Sequence, residues 1–317
     1  MRGVCYAHAW TGGGARGYGS DSSARSLKAL KALGVSWVSL TPFGYQRKLT
    51  DDEVHLATRF PGGETDARLA TDTQRAHALG MKVMLKPHIW VHTSEWCGHI
   101  DPGSKKGWER WMRSYERFIL HYARLATRTK ADALVVGTEL STAVLRVPEA
   151  WPRVIAAVRR EYAGPITYAA NWNVADRVTF WDQLDFIGIQ AYQPLVARKG
   201  ATAAELGRGA RAMADAIGAL AKRTGKPVVL TEVGYKSVLD PAIHPNGWPE
   251  HDRNPSYSEV DQAAAYRAVY EAFEGRSWYR GLFWWKWFSD PAAVEEGPLG
   301  FTPKAPAREL LRQRWAR

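Results

Sequence analysis

The chain has 317 residues and a formal net charge of +11, with 45% hydrophobic and 24% charged residues. These are ordinary globular fractions, so they exclude disordered and fibrous proteins, and no apolar stretch approaches the roughly 20 residues of a transmembrane helix. The 2 cysteines exclude a disulfide framework and a four-cysteine zinc site, and the scattered basic residues favour a solvated surface over an acidic partner.

Short β-branched or aromatic runs alternate with helical stretches along the whole chain, which predicts repeated βα units. The predicted strands are 3–7, 37–43, 82–90, 133–140, 165–171, 185–192, 227–235 and 281–287. The predicted helices are 21–33, 66–79, 108–129, 148–162, 203–223 and 258–273. Only the link at 172–184 is short, with room for a turn or two of helix.

Glycine separates several predicted helices from the next strand, at Gly34, Gly80 and Gly225. Each can take the left-handed conformation that ends a helix and turns the chain back into the sheet. No linker divides the chain, so we predict an α/β fold in which 1–317 form a single (β/α)₈ TIM barrel. The alternative is an open doubly wound sheet, but the glycine run at 12–14 lacks the G-x-G-x-x-G spacing of its phosphate turn.

Two glutamates stand at the tips of otherwise apolar predicted strands, Glu139 on the fourth and Glu232 on the seventh. A carboxylate there is partly desolvated, which costs free energy unless the group is paired or used. A salt bridge across the barrel mouth is the structural alternative. Glycoside cleavage with retention uses such a pair, with carboxyl groups about 5–5.5 Å apart. Because active sites form at this end of a barrel, the pair predicts catalytic residues.

Other polar and aromatic residues are also expected at the strand ends, and 15 tryptophans suggest an aromatic surface on which sugar rings stack. The candidates for substrate binding are Trp10, Lys86, His88, Trp90, Asn171, Tyr192, Trp285 and Trp287. Lys86, His88 and Tyr192 are also candidates for holding one glutamate ionised. Strict alternation along the last strand would put Trp285 and Trp287 on the same face.

Four motifs lie at the ends of the predicted fourth, sixth, seventh and eighth strands. They are VGTEL at 136–140, IGIQAYQPL at 187–195, LTEVGY at 230–235 and FWWKW at 283–287. Together they resemble glycoside hydrolase family 113, a clan A family of retaining enzymes known for β-1,4-mannan hydrolysis. The resemblance covers nearly the whole chain. It implies Glu139 as general acid/base, Glu232 as nucleophile and an aromatic platform from the tryptophans of the last strand.

One position departs from the wider clan. Many members carry an asparagine directly before the acid/base, where it holds the sugar 2-hydroxyl, but Thr138 stands there in this chain. Asn171 or His88 is therefore expected to bind that hydroxyl. Mannose has an axial 2-hydroxyl, so a changed residue at this position is compatible with a mannoside substrate.

Two other classes stay open at this point. A metal-dependent barrel hydrolase would use the histidine-rich segment 88–99, although Tyr6 replaces the first histidine of the usual His-x-His at the end of strand one. A non-catalytic carbohydrate-binding barrel would keep the aromatic mouth but hydrolyse nothing. A chelator would inactivate the metal-dependent hydrolase but not the glycosidase, and the binding barrel would show no turnover of any glycoside.

The expected partner is a polysaccharide or oligosaccharide. We expect no cofactor, no metal, no nucleic acid and no membrane, and a monomeric chain. The N-terminus shows no signal architecture, so the protein is either cytoplasmic or secreted with its signal removed. The sugar, the linkage, endo or exo action and the pairing of Cys5 with Cys97 stay open.

Overall fold

The computed structural model describes residues 1–10, 12–56, 62–247, 255–292 and 297–315. The strands in these ranges are β1 (Arg2–Ala7), β2 (Trp37–Leu40), β3 (Phe43–Gln46), β4 (His55–Leu56), β5 (Lys82–Leu85), β6 (His88–Val91), β7 (Ala133–Thr138), β8 (Ile166–Asn171), β9 (Ile187–Gln190), β10 (Val228–Val233) and β11 (Tyr279–Phe288). The helices are α1 (Asp21–Ala32), α2 (Asp66–Ala78), α3 (Lys105–Thr129), α4 (Ser141–Arg146), α5 (Trp151–Glu161), α6 (Ala203–Thr224), α7 (Glu259–Phe273) and α8 (Ala305–Trp315).

Eight of the described strands close a barrel in the order β1, β2, β5, β7, β8, β9, β10, β11 and back to β1. Every neighbouring pair in this ring is parallel. The predicted (β/α)₈ TIM barrel is therefore confirmed. The link between β8 and β9 holds only two short 3₁₀ turns, Ala175–Arg177 and Trp181–Gln183, as its length predicted.

The helix boundaries follow from local chemistry that the sequence displays. The Ser20 hydroxyl accepts a hydrogen bond from the Ser23 backbone at the start of α1, and Thr202 and Glu205 form a reciprocal capping box on α6. These side chains satisfy backbone N–H groups that the first turn of a helix leaves without partners. Gly225 ends α6 with a φ of +67°, the left-handed conformation that was expected there.

Two predicted strands are each divided by a proline. The runs 37–43 and 82–90 leave the barrel after β2 and β5, and the chain resumes as β3 and β6 directly after Pro42 and Pro87. Proline has no backbone N–H and cannot continue a central ladder. β3 pairs with β6 in parallel and with β4 antiparallel, so these three strands form a separate small sheet. It carries His88 and Trp90 past the end of the barrel.

The last barrel strand contains a bulge. Val4 of β1 is paired with Trp284, whereas Tyr6 is paired with Trp287, so one residue of β1 faces two of β11. An extra residue in one strand breaks the strict alternation of its side chains. The prediction that Trp285 and Trp287 share a face is therefore wrong.

The barrel interior is filled by a compact group of side chains separate from the larger layer between barrel and helices. Its buried members are Cys5, Met84, Ala133, Val135, Ala169, Phe186, Val229 and Phe283. Cys5 is fully buried there, and Cys5 and Cys97, whose pairing the sequence left open, are both free thiols. None of the helices within the described ranges has the length and apolarity required to span a bilayer.

Candidate active site

The two candidate glutamates lie at the same end of the barrel. Glu139 directly follows β7, and Glu232 belongs to β10, with β8 and β9 between them in the ring. Glu232 is only 4% exposed, whereas Glu139 is partly exposed at the barrel mouth. Glu139 has a φ of +56°, a conformation that non-glycine residues seldom adopt and that often marks a functional position.

Glu232 is held by two donors, one just after β5 and the other just after β9. The Lys86 ammonium donates to its Oε1 at 2.5 Å, and the Tyr192 hydroxyl donates to its Oε2 at 2.8 Å. Lys86 is fully buried, and its Nζ also contacts the Thr231 carbonyl at 3.1 Å and the Cys5 Sγ at 3.3 Å. Burying an ammonium is costly unless it is paired and hydrogen-bonded, and these contacts meet both conditions.

The charges around Glu232 fix its protonation state. Burial alone would raise the pKa of Glu232, but the nearby groups together, with the Lys86 ammonium first among them, lower it below the usual value. Burial and the same ammonium lower the pKa of His88 to about 3. His88 is therefore a neutral imidazole, and its Nε2, 3.6 Å from Glu232 Oε1, forms no ion pair. Glu232 is an ionised carboxylate at neutral pH.

Glu139 has the opposite shift. Burial, and next the negative charge of Glu232, raise the pKa of Glu139 to about 7. A hydrogen bond from the Trp96 indole N–H to Glu139 Oε2, at 2.8 Å, moderates this rise. One carboxyl is thus substantially protonated at neutral pH while its neighbour is ionised. Such a divergent pair can supply a proton and a nucleophile together.

Several buried polar atoms of the described residues have no hydrogen-bond partner. Among them are His88 Nε2 and Asn171 Oδ1, at the end of the barrel that carries the two glutamates, and both atoms are shielded from solvent. Buried polar atoms without partners are rare because each costs about 1–3 kcal/mol. At the mouth of this barrel they are suited to bind the hydroxyl groups of a ligand.

The aromatic candidates divide into three positions. The Trp285 ring lies 6.1 Å from the His88 ring and 5.5 Å from Lys86 Nζ, so it borders the Glu232 cluster. Trp10 and Trp90 are each 40% exposed, in segments that follow β1 and β5. Trp287 is buried at 7% and its indole N–H donates to Ser26 of α1 at 2.9 Å. The bulge in β11 turns Trp287 towards the helices, which corrects its selection as a substrate-binding residue.

The structure thus brings Lys86, His88, Tyr192 and Trp285 together around Glu232, and sequence reasoning missed Trp96. In the sequence, Trp96 lies within the histidine-rich segment 88–99, which indicates only the metal-dependent alternative and gives no role to the tryptophan. No spacing rule links that segment to Glu139, so only the fold could reveal the contact. Among the described residues, no group of three or more histidine, cysteine, aspartate or glutamate side chains is arranged to hold a metal ion.

Comparison with known families identifies the chain. The sequence profile of Glycoside Hydrolase Family 113 matches residues 7–298. The chain belongs to glycoside hydrolase family 113. The resemblance found from the four motifs is confirmed, and this family 113 chain is a glycoside hydrolase.

Solved structures of the same family are similar over the full length of this family 113 chain. The β-mannanase from Alicyclobacillus acidocaldarius has 26% identity and a TM-score of 0.87, with 100% of this chain and 97% of that chain covered. A second family 113 β-1,4-mannanase has 25% identity and a TM-score of 0.84, with coverage of 100% and 99%.

More distant comparisons add only the fold. A Ruminococcus gnavus β-glucuronidase has 16% identity and a TM-score of 0.67, with 99% of the family 113 chain and 50% of that chain covered. A search of curated protein sequences matches nothing.

Proposed function

We propose that this family 113 enzyme hydrolyses β-1,4-mannan or its oligosaccharides with retention of anomeric configuration, with 1–317 acting as one catalytic domain. The central support is the divergence of two neighbouring carboxyl pKa values, raised to about 7 for Glu139 and lowered for Glu232. The choice of sugar is supported by the similar structures, which are β-mannanases.

In the first step Glu232 attacks the anomeric carbon while Glu139 donates its proton to the departing glycosidic oxygen. The carbon–oxygen bond to the leaving sugar breaks, and an ester to Glu232 forms. Lys86 and Tyr192 keep Glu232 ionised and oriented before the attack through their hydrogen bonds to its two oxygens. The hydrogen bond from Tyr192 supports the role proposed for it from the sequence, that of holding the nucleophile.

In the second step Glu139 acts as a base. It takes a proton from water, whose oxygen attacks the anomeric carbon and releases Glu232 as a carboxylate. Ester formation removes the negative charge of Glu232, which is one cause of the raised pKa of Glu139. The pKa of Glu139 therefore falls in the intermediate, and the same residue changes from acid to base.

Substrate recognition is assigned to groups that face the two glutamates. Thr138 cannot replace the usual asparagine as a donor, because its hydroxyl donates to the Pro87 carbonyl at 3.1 Å. We therefore assign the 2-hydroxyl of the cleaved sugar to His88 and Asn171, whose buried polar atoms have no partner among the described residues. Trp285 is proposed as the platform under that sugar.

Two exposed tryptophans are proposed to bind sugar units of the polysaccharide on either side of the cleaved one. Trp10 follows β1 and Trp90 belongs to β6, and each residue is 40% exposed. Flat indole faces stack on the apolar C–H faces of pyranose rings, as the aromatic surface predicted from the sequence requires.

Product analysis tests the proposed function. The enzyme is incubated with mannan, cellulose, xylan and galactan, and the anomer formed first is read by NMR before mutarotation. We expect turnover on mannan with the β-anomer appearing first. An α-anomer would contradict retention, whereas turnover restricted to another β-glycan would contradict the choice of sugar and leave the two-carboxylate chemistry standing.

Replacing the buried ammonium tests how Glu232 is kept ionised. Lys86→Met keeps the side-chain length but leaves a buried carboxylate without its cation, which is expected to destabilise the fold by about 3–5 kcal/mol. Wild-type Glu232 has a lowered pKa, so its stabilising contribution is present at neutral pH and is lost as pH falls through that pKa. In Lys86→Met we expect the acid limb of the kcat/KM profile to move to higher pH.

The matched control removes both charges. Lys86→Met combined with Glu232→Gln should recover most of the lost stability in thermal unfolding, because neither partner is then a buried unpaired ion. If Lys86→Met were as stable as wild type and its acid limb did not move, Lys86 would have no part in holding Glu232 ionised.

A further inference from the structure

A tryptophan outside the barrel strands holds the carboxyl group of Glu139. Trp96 lies between β6 and the 3₁₀ turn Cys97–His99, and its indole N–H donates to Glu139 Oε2 at 2.8 Å. Among the described residues, Trp96 is the one side chain that donates a hydrogen bond to the Glu139 carboxyl. The other oxygen, Oε1, is left for a ligand.

An N–H donor on one carboxyl oxygen determines where an acid proton resides. The carbonyl-type oxygen of a protonated carboxyl is its better acceptor, so a donor fixed at Oε2 leaves the proton on Oε1. The same bond favours the ionised form, since an N–H···O⁻ bond is stronger than its neutral counterpart. Trp96 therefore affects both the direction and the strength of Glu139 as an acid.

The Trp96 ring is fixed tightly enough to do this. His99 packs edge-on against it with ring centroids 4.9 Å apart. A Cβ placed on Gly98 would come within 2.4 Å of Trp96 Cη2, so the ring occupies the space that a side chain at Gly98 would need. The Gly98 carbonyl is itself held by the Thr142 hydroxyl at 2.7 Å, which ties this loop to α4.

The backbone at Glu139 is equally constrained. Glu139 N–H donates to the Ala169 carbonyl at 2.9 Å, and its own carbonyl accepts from the Ser141 N–H at 2.7 Å, while φ is +56°. A strained backbone that is tied at both ends holds a side chain in one direction. Loop and strand therefore meet at a carboxyl that is fixed from both sides.

We propose that Trp96 is a positioning residue for the acid step, which directs the proton of Glu139 from Oε1 to the glycosidic oxygen of the bound sugar chain. This inference rests on the proposed function, because it assumes that Glu139 is the general acid. It adds a contact from a segment that belongs to neither catalytic strand.

The test compares two substrates that differ in their need for acid catalysis. Natural mannan oligosaccharides need protonation of the leaving oxygen, whereas dinitrophenyl β-mannoside has a leaving group that departs without it. For Trp96→Phe, which removes the N–H and keeps an aromatic ring, we expect kcat/KM to fall about tenfold on the oligosaccharide and less than about twofold on the aryl mannoside. The alkaline limb on the oligosaccharide should move up by about half to one pH unit.

Gly98→Ala is a second variant that should break the hydrogen bond between Trp96 and Glu139. Its added methyl group displaces the Trp96 ring without removing the indole, so the substrate dependence and the shift of the limb should have the same direction. Trp37→Phe is the matched control, because Trp37 begins β2 at the opposite end of the barrel. It should leave both profiles unchanged.

Equal losses on both substrates with an unmoved alkaline limb would overturn the inference and reduce Trp96 to a packing residue. Full activity of both Trp96→Phe and Gly98→Ala on the oligosaccharide would also overturn it. Failure of the proposed function is distinct, since wild-type enzyme would then hydrolyse neither substrate.

Discussion

Glu232→Ala is expected to lower kcat on mannan oligosaccharides by about 10⁴-fold or more, because no other group can form the glycosyl ester. Azide should restore turnover of dinitrophenyl β-mannoside by occupying the space of the lost carboxylate and attacking the anomeric carbon directly. The product of that single displacement is α-mannosyl azide, of inverted configuration. The measurements are steady-state kinetics with and without azide and NMR of the product.

The control for Glu232→Ala must allow for the buried Lys86, which loses its carboxylate partner in this variant. Alanine leaves the buried Lys86 ammonium with hydrogen bonds to the Thr231 carbonyl and the Cys5 thiol but without a carboxylate partner, so some loss of stability is expected. Glu232→Gln keeps an acceptor for Lys86 and should unfold nearer the wild-type temperature while remaining as inactive. Near-normal turnover of either variant, or failure of every small anion to rescue Glu232→Ala, would contradict the nucleophile assignment.

Glu139→Ala is expected to reduce kcat/KM on oligosaccharides by about 10²–10⁴-fold, the usual contribution of a general acid. In the wild type the alkaline limb should follow the pKa of about 7 of Glu139, since activity is lost as that group gives up its proton with rising pH. The variant should lack this limb. On dinitrophenyl β-mannoside the first turnover should persist and the second step should slow, which pre-steady-state kinetics would show as a burst.

The configuration of the azide product distinguishes the roles of the two glutamates. With Glu139→Ala it should attack the ester on Glu232 and give β-mannosyl azide, the opposite anomer to that from Glu232→Ala. The same anion and the same substrate therefore report on each role. The same anomer from both variants would contradict the assignment of one residue as acid/base and the other as nucleophile.

Much of the barrel was predictable because its signals are local. Alternating βα runs and helix-ending glycines such as Gly225 depend only on nearby residues. The small sheet was missed because the apolar runs continue across Pro42 and Pro87, and periodicity does not say to which sheet a strand belongs. The orientation of Trp287 was wrong because the bulge in β11 depends on pairing with β1, which the sequence of one strand does not contain.

The site was predictable to the same degree and for the same reason. Glu139 and Glu232 are conspicuous because an acid at the tip of an apolar strand needs an explanation that its immediate neighbours do not give. Lys86 and Tyr192 follow other strands, so the barrel end gathers them without further information. Trp96 comes from a connecting segment, whose path over the surface is set by tertiary contacts such as those of His99 and Gly98.

The proline after β5 bears on how recognition in this enzyme can change. Because the chain leaves the barrel there, one wall of the proposed sugar site is a hydrogen-bonded strand, β6, in place of an irregular loop. His88 and Trp90 occupy alternate positions on it and point to the same side, with Phe43 packed against both rings. A substitution of His88 or Trp90 can thus alter the contact with one sugar unit while the hydrogen bonds between β3 and β6 keep the other residue in place. The specificity for each of two successive sugar units can therefore change separately.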